Sequence, residues 1–239
     1  MDHLVHHAKK KLDSQVQFVY TAHVTAKANN PRARLTARGA ATRARIVAAA
    51  AALVYERGFA GTSLDDVMAA SGTSKSQLYH YFADKDALIR EVIKAQLARI
   101  LAAQEAAGLH EVSTWEGLQR WCDHFVTATR ATHGAGGCPL GSLVGELADQ
   151  SEPARRVLAQ CFAEWQSYLS EGFKAMRDNG ELAAQTNPDE LALTVISALQ
   201  GGLLMAQATR SARPLELALD MAVQHMAACR RRPKQAGRL

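Results

Sequence analysis

Thr62-Ser63-Leu64-Asp65-Asp66-Val67-Met68-Ala69-Ala70-Ser71-Gly72-Thr73-Ser74-Lys75-Ser76-Gln77-Leu78-Tyr79-His80-Tyr81-Phe82-Ala83-Asp84-Lys85 is the stretch that decides how the chain folds. Thr62 or Ser63 is placed to cap one short helix and Thr73 or Ser74 a second, because a hydroxyl there accepts an otherwise orphaned backbone N–H. Asp65 and Asp66 fall in the first turn of the first helix, where negative charge complements the helix dipole. Gly72 permits the tight turn between the two. Leu64, Val67 and Met68 point inward from the first helix, and Leu78 with Phe82, four residues apart, anchors the second. Lys75, Ser76, Gln77, Tyr79 and His80 are left facing outward. Two short capped helices with such an outer face form a helix-turn-helix, a geometry suited to the major groove of DNA.

Working outward, the pattern predicts a helix over 41–57, with Ile46, Ala50, Leu53 and Val54 on one face and Gly58 as a left-handed cap. Asp84 caps the next helix, predicted over 85–107 because Leu88, Ile89, Val92, Ile93, Leu97, Ile100 and Leu101 keep a helical period. Further helices are predicted over 115–132, 140–149, 153–179, 188–210 and 214–230, with a Gly/Pro-rich break at 133–139. Aromatic residues make up 6% of the chain and β-branched runs are scarce, so the expected fold is all-α. The expected division is a disordered basic arm (1–37), a three-helix DNA-binding domain (38–84), a larger helical ligand-binding and dimerisation domain (85–230) and a basic tail (231–239).

Charge is unevenly spread. Residues 1–62 carry ten Lys/Arg against three Asp/Glu, and residues 230–239 carry five against none, which leaves the long middle at 13 − 20 = −7. Basic ends beside a reading head suit a polyanion, because neutralised phosphates release counterions. Arg32, Arg34, Arg38, Arg43 and Arg45 are placed to reach a minor groove from the arm, whereas His3, His6 and His7 read as solvated imidazoles. Cys122, Cys138, Cys161 and Cys229 lack the paired spacing of a zinc site or a disulfide scaffold, and Cys122 and His124 do not share a helix face. No metal and no cofactor is expected. The longest uninterrupted apolar run is 46–55 and no signal-peptide core is evident, so the expectation is a cytoplasmic protein with no membrane partner.

The string Gly58-Phe59, Thr62-Ser63-Leu64, Val67, Ala70, Gly72-Thr73-Ser74-Lys75, Leu78-Tyr79, Phe82, Asp84-Lys85 and Leu88 resembles the signature of the TetR family of bacterial regulators. The resemblance implies a homodimer on a palindromic DNA operator, released by a small-molecule effector. It places Thr62, Ser63 and Lys85 at phosphates, Lys75, Ser76 and Gln77 at base edges, and Tyr79 and His80 at the backbone or a thymine methyl. The family usually shows Tyr-Tyr-His-Phe where this chain has Tyr79-His80-Tyr81-Phe82, which leaves open whether His80 or Tyr81 touches phosphate. A weaker likeness at 137–149 is to an AcrR-like branch, some members of which sense electrophiles or oxidants through a cysteine.

Trp115, Trp121, Phe125, Phe162, Trp165, Met176 and Met205 are apolar residues able to line an effector cavity. Cys138, in a glycine-rich break just before a helix, is a candidate reactive thiol. Leu191, Val195, Leu199 and Gly202 on one helix, with Leu219 and Val223 on the next, are expected at the dimer seam, where Gly201-Gly202 allows close approach. The alternatives to a ligand-released repressor are a thiol-based sensor working through Cys138, a non-specific DNA-coating protein and a helical enzyme. No phosphate loop or His-Glu-x-x-His motif supports the last.

Overall fold

The computed structural model describes residues 35–109 and 111–230. Most of the expected arm, including the three histidines, and all of the 231–239 tail lie outside the described residues. Within them the chain forms nine helices: α1 Ala37–Arg57, α2 Leu64–Ser71, α3 Lys75–Tyr81, α4 Lys85–Ala106, α5 Trp115–Ala131, α6 Pro139–Leu147, α7 Glu152–Asp178, α8 Pro188–Thr209 and α9 Arg213–Ala228. The β-structure recorded among the described residues is an isolated bridge between Leu182 and Arg230.

Helix α1 begins four residues before the expected position, because Thr36 caps it by accepting the Gly39 N–H at 3.1 Å. Its first turns carry arginines and alanines without an apolar stripe, so hydrophobic periodicity did not reveal them. Gly58 has positive φ (74°) but extended ψ (169°), so it is not the left-handed cap expected, although its N–H still closes the helix on the Val54 carbonyl.

Two compact units divide the helices. One comprises the described residues up to Ala103 together with Leu143–Cys161, and the other Gln104–Ser142 with Phe162 onward. The first has a core of Ile46, Val47, Val67, Leu78, Phe82, Val92 and Ile93, all at 2% exposure or less. Buried Gln96 sits beside that core and donates to the Ala51 carbonyl at 3.2 Å. In the second, Trp121, Trp165, Leu169, Phe173 and Met176 are buried with the inner faces of α8 and α9.

The glycine pair on α8 divides its work. A Cβ on Gly202 would lie 2.8 Å from the Leu215 Cα, so this glycine lets α8 and α9 touch within one chain, whereas a Cβ on Gly201 would meet nothing within 4 Å. Leu191, Val195, Leu199 and Leu219 are 3% exposed or less and Gly202 is buried, with Val223 half-buried. The expected seam residues are therefore the core of the α8–α9 pair. The apolar residues left in solvent on these helices are Leu193, Leu204, Met205, Leu217 and Met221, each more than half exposed.

Candidate functional site

Helix α2 opens on a reciprocal cap: Ser63 Oγ accepts the Asp66 N–H at 3.1 Å, and the Asp66 carboxylate accepts the Ser63 N–H at 3.0 Å. The Ser63 hydroxyl and N–H hold the Asp66 carboxyl below its usual range, with Arg57 assisting. Gly72 follows in the left-handed conformation (φ 62°, ψ 36°), which turns the chain in one residue. Ser71 fixes that turn, its carbonyl accepting from Arg45 Nε at 2.9 Å and its hydroxyl lying 2.7 Å from that of Thr73.

Helix α3 opens in the same way. Ser74 Oγ accepts the Gln77 N–H at 3.2 Å, and Gln77 Oε1 accepts the Ser74 N–H at 3.0 Å. With Leu78 and Phe82 buried, α3 presents Lys75, Ser76, Gln77, Tyr79 and His80 to solvent. Tyr81 is half-buried, its hydroxyl 3.3 Å from where a Gly39 Cβ would lie, and His80 is the outward member of the pair whose order departs from the family pattern.

Besides the capping residues Ser63 and Ser74, five of the expected DNA contacts have structural duties. Thr62 is 3% exposed and donates its hydroxyl to the Gly58 carbonyl, and Thr73 is 7% exposed and paired with Ser71, so neither hydroxyl is free for a phosphate. Arg43 is an α1 residue that meets Glu91 at 2.7 Å and lies over the Phe82 ring. Burial raises the Glu91 carboxyl, but hydrogen bonds and charge from Arg43 and Lys94 more than offset this and hold it below the usual range. Lys85 donates to the Phe59 carbonyl at 2.7 Å and covers the Phe59 ring. Gln77 spends its amide oxygen on the cap, which leaves its NH₂ as the outward group. Sequence reasoning missed Glu146, whose carboxylate accepts the Phe59 N–H at 2.7 Å; a partner 87 residues away leaves no local signal.

In the second unit, four of the expected effector residues come together. Trp121 and Phe125 lie 4.6 Å apart between ring centres, Phe125 and Trp165 6.3 Å, and Phe162 and Trp165 6.4 Å. Trp121 donates to Gln104 Oε1 at 2.6 Å, whereas the buried Trp165 indole N–H has no partner among the described residues. Phe125 and Phe162 are half-buried, so the cluster has an open side.

The other expected effector residues lie elsewhere. Trp115 is covered by Arg230 at 3.9 Å, Met205 is 51% exposed on the outer side of α8, and Met176 is fully buried. Cys138 Sγ accepts the Gly141 N–H at 3.3 Å. Burial pushes the Cys138 thiol up despite that bond and help from Leu140 and Gln200, and burial with Asp123 and Asp220 pushes Cys122 up to about 12.

Two family descriptions match the chain: "Bacterial regulatory proteins, tetR family" over residues 46–92 and "Tetracyclin repressor-like, C-terminal domain" over residues 115–222. An HTH-type transcriptional regulator in the lacX 3' region of Lactococcus lactis subsp. lactis is 32% identical over 179 residues, which is 71% of this chain and 85% of that protein. The HTH-type transcriptional repressor NemR of Escherichia coli is 29% identical, covering 70% of this chain and 84% of that one. A crystal structure of a TetR transcriptional regulator from Chloroflexus aurantiacus superposes with a TM-score of 0.66 at 27% identity, covering 83% of this chain and all of the other. The capped helix pair, the all-helical units and these likenesses agree: the chain belongs to the TetR family of bacterial transcriptional regulators.

Proposed function

We propose that this regulator is a cytoplasmic repressor that binds a palindromic operator as a homodimer and lets go when a small molecule binds its helical body, 85–230. The observation that carries the DNA half is α3: it is capped by Ser74, pinned by buried Leu78 and Phe82, and turns Lys75, Ser76, Gln77, Tyr79 and His80 to solvent. Lys75 suits guanine O6 and N7, while the Gln77 NH₂ suits an acceptor on a base edge. Ser63 and His80 border the phosphates. Repression is the role that the NemR name gives a relative.

The second copy is supported by α8. This helix is long and apolar enough, by length and composition, to cross a membrane, yet its inner side is buried. A helix apolar all round needs cover on both sides. Leu193, Gly201 and Leu204 recur at helical spacing along its outer side, with Leu217 and Met221 on α9. A self-complementary face of this kind satisfies a two-fold partner and sets the two heads on a two-fold operator.

The effector reading rests on the half-open cluster of Trp121, Phe125, Phe162 and Trp165, with the unpartnered Trp165 N–H suited to an acceptor on an apolar molecule. It is favoured over thiol sensing because a buried thiol with a raised pKa is a poor nucleophile. Helix α4 spans Lys85–Ala106, so the chain passes from the head to the first residues of the second unit within one helix.

The test is a footprint on the DNA beside the protein's own gene, repeated with Lys75→Ala. A protected palindrome is expected, with discrimination at one base pair per half-site falling by about 1–3 kcal/mol in the variant. Equal affinity of the wild-type protein for random duplex would favour a DNA-coating role and sink the proposal.

A further inference from the structure

In the second unit, a cleft of about 310 Å³ opens beside the start of α9, lined by Arg130, His133, Arg210, Ser211, Ala212, Arg213 and Glu216. Its charges are unbalanced: three arginines against one glutamate give +2 with the imidazole neutral. Glu216 is fully engaged, since Arg130 donates to its Oε1 from Nε at 2.9 Å and from Nη2 at 2.8 Å, and Arg213 donates to its Oε2 at 3.2 Å. These bonds, Arg130 foremost, hold the Glu216 carboxyl below its usual range, so it stays charged and keeps both arginines in place. Arg210 makes no ion pair among the described residues.

Two backbone observations fall on the same cleft. His133 (φ 50°) and Arg210 (φ 53°) are the two non-glycine residues with positive φ among the described residues, and both line it. Arg210 is the left-handed cap of α8, its N–H returning to the Ala206 carbonyl, and this turn sets where its side chain leaves the helix. The start of α9 lies at the same cleft, where Ser211 Oγ accepts the Arg213 N–H at 3.2 Å and fixes the backbone from which Arg213 projects.

We propose that this cleft is a binding site for a small anion carrying a carboxylate or phosphate group. Arg210 is its principal ligand, and the guanidinium edges of Arg130 and Arg213 turned away from Glu216 complete the cradle. Both of those side chains are about two-thirds exposed (63% and 64%), so the anion enters directly from solvent. The site is separate from the aromatic cluster, and the inference stands whether or not that cluster binds an effector.

The test is calorimetric titration of the full-length protein with inorganic phosphate and, in a separate arm, with succinate. Arg210→Asn and His133→Asn serve as variants, because asparagine tolerates positive φ. Saturable binding of at least one anion is expected, weakened about tenfold or more by Arg210→Asn. Arg156→Ala should leave it unchanged, since Arg156 pairs with Glu152 in the first unit. The preferred anion identifies the chemistry. Arg210→Gly, which has the same backbone freedom, replaces Arg210→Asn if that variant melts earlier than wild type. Absence of saturable binding of either anion up to about 10 mM, or binding of equal strength in the Arg210 variant, overturns the proposal.

Discussion

Arg43, expected in a minor groove, and Lys85, expected at a phosphate, are both engaged inside the head. Arg43→Ala is expected to cost about 1 kcal/mol in urea unfolding, because its partner Glu91 is left three-quarters buried without its nearest charge. The pH dependence has a definite sign. Glu91 titrates lower folded than unfolded, so its stabilisation is full above the usual 4.5 and fades as pH falls through the lowered folded value. The gap between wild type and Arg43→Ala should therefore close on acidification; a constant gap would refute the pairing. Lys85→Ala removes the donor to the Phe59 carbonyl and should lower stability by about 1.5–3 kcal/mol while leaving the salt dependence of DNA binding unchanged. A salt slope reduced by about one would put Lys85 on a phosphate instead. Such dual demands are hidden from the sequence, because a lysine before an apolar helix looks the same whether its ammonium meets a phosphate or a carbonyl.

At the scale of elements, what was legible is what is local. Ser63 and Ser74 cap helices within three residues of themselves, and Asp84 caps α4 through the Ala87 N–H, so these starts were readable along the chain. The choice between Thr62 and Ser63, or Thr73 and Ser74, was not, since it depends on which hydroxyl the core swallows. Contacts that join distant elements were also illegible. Phe59 is held on both sides of its own residue, its N–H by Glu146 near the end of α6 and its carbonyl by Lys85 at the start of α4. Glu146→Ala should speed hydrogen exchange at the Phe59 amide, and Glu146→Gln, which retains an acceptor oxygen, should restore much of the protection. Equal protection in wild type and the alanine variant would show that the bond does not form in solution.

For the whole molecule, periodicity found the apolar faces of α8 and α9 but not which side each helix keeps for itself. Leu199 and Leu219 are buried within one chain, and Leu204 and Met221 are left in water. Leu204→Glu with Met221→Glu should turn a dimer into a monomer in sedimentation, with helix content preserved. A dimer of undiminished affinity would move the seam elsewhere. If the outer side of α8 is covered only by a second copy, then mass action adds to the stability of each chain, and the melting temperature climbs with protein concentration. A cell that makes too little of this protein would then lack the means to keep it assembled, and the amount made would set a threshold below which the operator stays bare.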